Sequence, residues 1–411
     1  MNATVTHSQL VRWRTAIFAI FLLSGLGVAS WAARVPAIKE ALDINREGLG
    51  LLLLLGGVAS ITGISTSSII MARFGTRRGM LGTLTVFSAG LAVIGVGTDI
   101  VHAPWLVGLG LALWGYGGGA TDVMMNVEAT AIEQQTGRTI LPLFHAFFSF
   151  GTVIGAGLGI AAISLSLTPF DHLLIVAIGV LVLCVVAIAN IPAAEGELVE
   201  PDAPKAPFRE RLHVALSAWR EPRTYVLGIV LLGMSFAEGG ANDWLALGVV
   251  EGHGVHDPAL GAAGLTVFSV SMTAVRVFGG PLVDRFGRVV ILRVLAVTAA
   301  AGLLLFILSP SVPLLFVGAA LWGIGASLGF PLGMSAAADD PAKAAGRVAA
   351  AATMGYVAFL AGPPLLGFVS EHIGLLNALY IIVALIVASG FASGAAKPLS
   401  PEPRSATAKD A

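Results

Sequence analysis

At 411 residues, 56% hydrophobic and only 11% charged, with a mean hydropathy of +0.88, the chain departs from soluble proteins, whose charged share alone is about 25%. A net charge of -1, from 23 basic and 24 acidic residues, leaves no positive surplus for nucleic acid, and the lone Cys184 excludes an intrachain disulfide. The composition belongs in a bilayer, where about 20 apolar residues make one span. The length then holds about a dozen spans with short connections and no large soluble domain.

Apolar runs begin near Val11, Gly48, Gly79, Trp105, Leu141, Leu173, Thr224, Ala262, Val290, Val312, Val348 and Leu375, each about 17 to 25 residues long, as a membrane helix requires. Arg12, Arg14 and the small residues Ala29, Ser30 and Ala32 imitate a secretory signal with its cleavage site, but the first run is too long for a signal core. After the sixth run comes a Pro- and Glu-rich stretch, followed by Leu212, Ala215, Leu216 and Trp219 at helical spacing. It reads as a linker with an amphipathic helix over 208–219 lying on the inner surface. The predicted organisation is a six-helix bundle over 1–192, a cytoplasmic linker over 193–222, a second six-helix bundle over 223–394 and a cytoplasmic tail over 395–411. With the N-terminus inside, 19 of the 23 basic residues fall in the cytoplasm, against Arg34, Lys39 and Arg46 outside and Arg276 within a span. The positive-inside rule therefore predicts both termini in the cytoplasm.

Arg73-Phe74-Gly75 recurs 212 residues on as Arg285-Phe286-Gly287, Leu113-Trp114-Gly115 recurs after 208 as Leu321-Trp322-Gly323, and Gly137-Arg138 after 209 as Gly346-Arg347. Six spans return the chain to the side it left, so the two units share one orientation and can pack as a pseudo-symmetric pair. Gly280-Pro281-Leu282-Val283-Asp284-Arg285-Phe286-Gly287-Arg288, between the second and third spans of the second unit, resembles the signature loop of the major facilitator superfamily. The resemblance implies an all-α polytopic membrane protein of 12 transmembrane helices in two pseudo-symmetric six-helix halves, with a substrate site at the midplane and rocking of one half against the other. It also implies a gating role for Gly280, Asp284, Arg285, Gly287 and Arg288. The first-half copy keeps Arg73, Gly75 and Arg77 but has Ala72 where the acid would stand, which predicts a weaker latch. The fourth span, from Gly115 through Asp122 to Asn126, is similar to the fucose permease branch, although Arg34 stands near the end of the first span and no acid is found in it. The arginine that drug–proton antiporters carry in the fourth span is replaced by Leu111 or Leu113.

A charge at the bilayer centre costs about 2.5 to 3.5 kcal/mol on insertion scales and so asks for a partner or a watery cavity. Asp122, placed about nine residues or 14 Å from the inner end of its span, shares a helix face with Asn126 at i+4. The pair suits a hydroxylated or cationic solute, or a proton. Glu128 lies nearer the cytoplasm and reads as structural. The seventh span places Glu238 and Asn242 at i,i+4 around Gly239-Gly240, a pair of glycines that weakens a helix and predicts a discontinuity near the site. Asp243 and Trp244 read as nearer the outer surface. Arg276 lies about 12 Å deep and calls for a carboxylate, with Asp122 and Glu238 as the alternatives. The pair is either a static ion pair or one whose exchange couples proton binding to rocking. His145, with Ser149 at i+4, is a proton relay or a satisfied core histidine.

No P-loop lysine pattern, metal cluster or nucleophile–base pair is legible, so neither ATP drive, a metal, another cofactor nor an enzyme is expected. The predicted function is secondary active transport of a small solute by alternating access, coupled to protons and performed by a monomer in the bilayer. Multidrug or metabolite efflux and a non-transporting sensor are the alternatives. An Arg-rich basic set, 18 Arg to 5 Lys, points to a GC-rich bacterial genome and hence to the inner membrane.

Overall fold

The computed structural model describes residues 6–136, 140–192, 218–340 and 343–399, and its regular elements are all helices. Most of the expected linker, its amphipathic helix as far as residue 217, and the tail beyond 399 lie outside the described residues. The first half comprises α1 (His7–Ala32), α2 (Val35–Ala41), α3 (Arg46–Gly95), α4 (Pro104–Thr136), α5 (Leu141–Ser164) and α6 (Pro169–Ala189). The second comprises α7 (Pro222–Leu247), α8 (Pro258–Phe278), α9 (Gly280–Phe286), α10 (Arg288–Leu308), α11 (Val312–Ala326), α12 (Gly329–Ala337), α13 (Ala344–Ile373), α14 (Leu375–Ala378) and α15 (Tyr380–Ala392).

Among the described residues, ten helical stretches are long and apolar enough to cross a bilayer. One of them, Arg46–Ile100, has 55 residues, about 80 Å at 1.5 Å per residue, more than twice the roughly 30 Å of hydrocarbon. Gly75 divides it, with φ 74 and ψ 163 inside an otherwise helical run. This left-handed region favours a residue without Cβ, so the second and third predicted spans are separate crossings joined at Gly75. The other addition is α4, whose glycines, Tyr116 and Asp122 dilute its hydropathy but whose 33 residues exceed the length of a span. Twelve crossings result, with starts close to the predicted ones.

Side-chain caps mark several starts. Thr6 and Gln9 form a capping box on α1, Thr168 and Asp171 form one on α6, and Asn45 accepts from Gly48 N at the start of α3. These bonds satisfy backbone donors that a helix N-terminus leaves free.

The internal repeat is physical as well as textual. A Cβ on Gly90 would lie 2.4 Å from Trp114 N, and one on Gly302 would lie 2.3 Å from Trp322 N. Gly115 approaches Gly56 O just as Gly323 approaches Phe268 O, at 2.1 and 2.3 Å from a Cβ built on each. Equivalent glycines thus let equivalent helices touch backbone to backbone, the small-residue packing expected where lipid supplies no hydrophobic drive between helices. The two loop copies match as well: Gly75 and Gly287 both have positive φ, and the guanidinium of Arg73 lies 5.5 Å from the Phe74 ring centre, as Arg285 lies 5.2 Å from that of Phe286.

Twelve crossings return the chain to the face it started from, here the terminal face; the other is the far face. On the terminal face, ion pairs gather in the second half. Arg288 makes a two-pronged contact with Asp339 at 2.8 and 2.9 Å, Arg223 joins the same carboxylate at 2.8 Å, and Arg347 bridges Glu221 and Asp340 at 2.6 and 3.3 Å.

Candidate functional site

Arg276, in the last turn of α8, is held from three sides. Its Nη2 donates to Glu238 Oε2 of α7 at 2.8 Å, its Nη1 to Ser149 Oγ of α5 at 3.0 Å, and its Nε to the Ser327 carbonyl at 3.0 Å. Glu238 is therefore the partner, and Asp122 is not. Ser149 belongs to the opposite half, so one guanidinium ties the two halves together beside its own carboxylate. The Ser327 carbonyl is available because the tenth span is broken between α11 and α12. That break was not read from the sequence, although Gly325, Gly329 and Pro331 gave its signal: proline has no N–H to return to the carbonyl four residues back, here Ser327, and glycine weakens helices. Transporters use such interrupted helices to expose backbone groups at their sites.

The discontinuity expected at Gly239-Gly240 is absent, since α7 runs unbroken through both. The glycines serve packing instead: a Cβ on Gly240 would lie 2.4 Å from Ile382 Cδ1, and one on Gly239 would lie 3.0 Å from the Phe359 ring. Asn242, one turn beyond Glu238, is half-buried. Asp243 was placed by sequence near a membrane surface, yet it lines a small cavity with Phe236, Gly239, Phe359, Gly362 and Pro363. Its signal was simply its charge in an apolar run.

Asp122 is half-buried on α4. Asn126 Nδ2 donates to its carbonyl at 2.8 Å and to Oδ1 at 3.4 Å, so the predicted i,i+4 pair forms. No ion-pair partner faces Asp122 among the described residues, but the phenol of Tyr356, from α13 in the other half, lies within electrostatic range. α4 continues to Thr136, which puts Asp122 about 21 Å along the helix from that end. Glu128 is buried and accepts from Trp13 Nε1 at 2.7 Å, fastening α4 to α1.

His145 sets its ring edge-on against Phe21, centre to centre 5.3 Å, while Ser149 Oγ donates to the His145 carbonyl at 3.3 Å. The imidazole is exposed and within electrostatic range of Arg276. Arg34 stands apart from this group. It is buried, donates Nε to His172 Nδ1 at 3.2 Å and caps the carbonyls of Leu167 and Thr168, fixing the α5–α6 turn on the far face.

In the signature loop, Gly280 opens α9, Gly287 closes it with φ 80, and Arg288 holds Asp339. Asp284 and Arg285 are exposed, as is Arg73, and Arg77 is half-buried. The expected interfacial pairing of Asp284 is not made among the described residues. The halves are sealed on the far face instead. Lys39 Nζ and Arg46 Nε, from the first half, meet Glu251 of the second at 2.8 and 3.1 Å. Arg46 N donates to Glu371 at 3.1 Å and its Nη1 to the Ser370 carbonyl at 3.3 Å. Below these pairs Gly50 packs on the Pro363 carbonyl, 2.7 Å from a Cβ built there.

The Major Facilitator Superfamily family model matches residues 16–265 and 256–411. An MFS-type transporter of Yersinia pestis is 30% identical over 392 residues, covering 95% of this chain and 96% of that protein. Among solved structures, the nucleoside transporter NupG aligns with TM-score 0.75 at 14% identity over 95% of this chain and all of its own. The major facilitator transporter FucP in its outward conformation aligns with TM-score 0.65 at 16% identity, covering 94% and 98% of the two chains.

Proposed function

The chain belongs to the major facilitator superfamily of transporters, and on that premise we propose that it carries a small solute across a bacterial cytoplasmic membrane by alternating access, coupled to protons. The observation that carries the reading is Arg276, bound at once to Glu238 of its own half and Ser149 of the other. When the halves rock, the contact to Ser149 has to change, and with it the field at Glu238. A carboxylate paired in one state and freed in the other takes up a proton in one and releases it in the other. Asp122, half-buried and without a cation, is the second such group and looks across to Tyr356.

Orientation follows from the basic residues, 19 of 23 of which fall in the cytoplasm when the terminal face is placed there. The Lys39–Arg46–Glu251 seal then closes the external side, and the state is open inward. The unpaired Asp284 fits that state, because the signature loop latches the halves only when the cytoplasmic side closes.

Proteoliposomes test the reading once thermal-shift screening of solutes has supplied a ligand, since a ligand bound to the native state raises its stability. An imposed pH gradient should drive accumulation. Asp122→Asn and Glu238→Gln should each abolish accumulation while sparing downhill exchange in part. Undiminished pH-driven accumulation in both variants would leave uniport or another ion as the mechanism.

A further inference from the structure

The charges deep in the described spans do not balance. Asp122, Glu238 and Asp243 stand against Arg276, and Arg276 is committed to Glu238. Glu128 accepts a hydrogen bond from Trp13, whereas Asp122 and Asp243 face no cation within ion-pair distance among the described residues. Asp243 has no hydrogen-bond or ion-pair partner among the described residues, yet it faces a cavity lined also by Phe236, Trp244, Phe359, Pro363, Leu366, Ala358 and glycines of α7 and α13.

Two further features sit at this cavity. Pro363 and Pro364 lie inside α13, and neither has an N–H, so the Phe359 and Leu360 carbonyls lose their helical donors. The Phe359 carbonyl borders Gly57 of the first half, 3.4 Å from a Cβ built there, which sets this point on the seam between the halves. The cavity has room for about one water-sized group. A carboxylate among aromatic side chains forms a set that attracts a cation: the carboxylate accepts hydrogen bonds, and ring faces attract positive charge.

We propose that Asp243, with the Phe359 ring, binds the primary ammonium end of the transported solute, making the carrier one for small amine-bearing molecules. The size of the cavity selects a compact head group over a trimethylammonium. The ring walls favour ammonium over sodium, which prefers a shell of oxygen ligands. Asp122 and Asn126, on the opposite half, remain free for protons or for hydroxyls at the far end of the solute. The inference rests on the carrier reading above, but its test does not need flux.

The probe is methylammonium chloride, compared with sodium chloride and tetramethylammonium chloride at equal ionic strength, on the purified full chain in detergent. Methylammonium should raise the melting temperature by about 2 °C or more over the other two salts. Asp243→Asn should erase that difference, and Asp122→Asn should keep it. Carbodiimide labelling of the wild-type protein, read by mass spectrometry, provides a second readout: methylammonium should slow labelling at Asp243 and leave Asp122 unprotected. Equal stabilisation by sodium or tetramethylammonium, persistence of the effect in Asp243→Asn, or unprotected Asp243 would overturn the assignment. If these results fail while pH-driven transport persists, the ammonium site falls and the carrier stands; loss of pH-driven transport alone leaves the site in place.

Discussion

On the terminal face, Asp339 accepts from Arg288 at 2.8 and 2.9 Å and from Arg223 at 2.8 Å. Burial opposes its ionisation, but hydrogen bonds and charge from Arg288 and Arg223 win and hold its pKa below the usual carboxylate range. Glu221 is depressed as well, chiefly by its hydrogen bond from Arg347, with Lys343 adding to it against a desolvation penalty. For groups depressed in the fold, the stabilisation is complete above the unfolded pKa, about 4, and is lost as pH falls through the folded value. The melting temperature should therefore drop on acidification below about pH 4. Asp339→Asn should lower stability near neutrality by about 1 to 3 kcal/mol and flatten that acid limb. A variant with an unchanged acid limb would show that the network contributes nothing to folding. At the same scale, sequence reading found Asp122, Glu238 and Arg276 because charge in an apolar run is conspicuous. It left the partner of Arg276 open, because both candidate carboxylates lie at suitable depth along their helices and only the packing of α7 on α8 chooses between them. It offered Arg34 for the same reason, without knowing that the α5–α6 turn needs caps.

Helix starts were legible because bilayer crossing demands a long apolar run. Breaks inside spans were read less well. Gly239-Gly240 was expected to interrupt α7 and does not, because neighbouring Ile382 and Phe359 occupy the space the missing side chains leave. Gly329 and Pro331 do coincide with a break, and the freed Ser327 carbonyl is used at once by Arg276. Glycine composition alone cannot separate these cases, since a close neighbour and a lost hydrogen bond both call for the same residue. The packing account makes a paired prediction. Gly115→Ala and Gly323→Ala place a methyl within 2.1 and 2.3 Å of a facing carbonyl and should each cost about 1 to 3 kcal/mol. Gly82→Ala and Gly157→Ala, with nothing within 4 Å, should be neutral or slightly stabilising, because alanine is the better helix former. Equal melting temperatures for all four would remove close packing as the reason for the repeat.

The molecule as a whole is two similar halves with dissimilar fastenings. On the far face Lys39 and Arg46 reach across to Glu251 and Glu371, whereas on the terminal face Arg223, Arg288 and Arg347 pair with carboxylates of their own second half. The repeat in the sequence announced two halves, but not which face they would close. That choice depends on residues about 200 to 325 apart in the chain meeting at a seam, and no local pattern encodes it. Partly exposed pairs of this kind contribute up to about 1 kcal/mol each, enough to bias an equilibrium between two states of near-equal energy without locking it. The most direct test of alternating access coupled to protons is therefore a pair of distances, measured by electron spin resonance across both faces between pH 5 and 9. Labels at Glu40 and Asn377 report the far face, and labels at Arg73 and Arg285 report the terminal face. The two distances should change reciprocally with pH: as one shortens, the other lengthens. Asp122→Asn with Glu238→Gln should abolish that response, and Glu251→Gln should shift the balance toward far-face opening at every pH. Distances that ignore pH, or that lengthen on both faces together, would contradict the account.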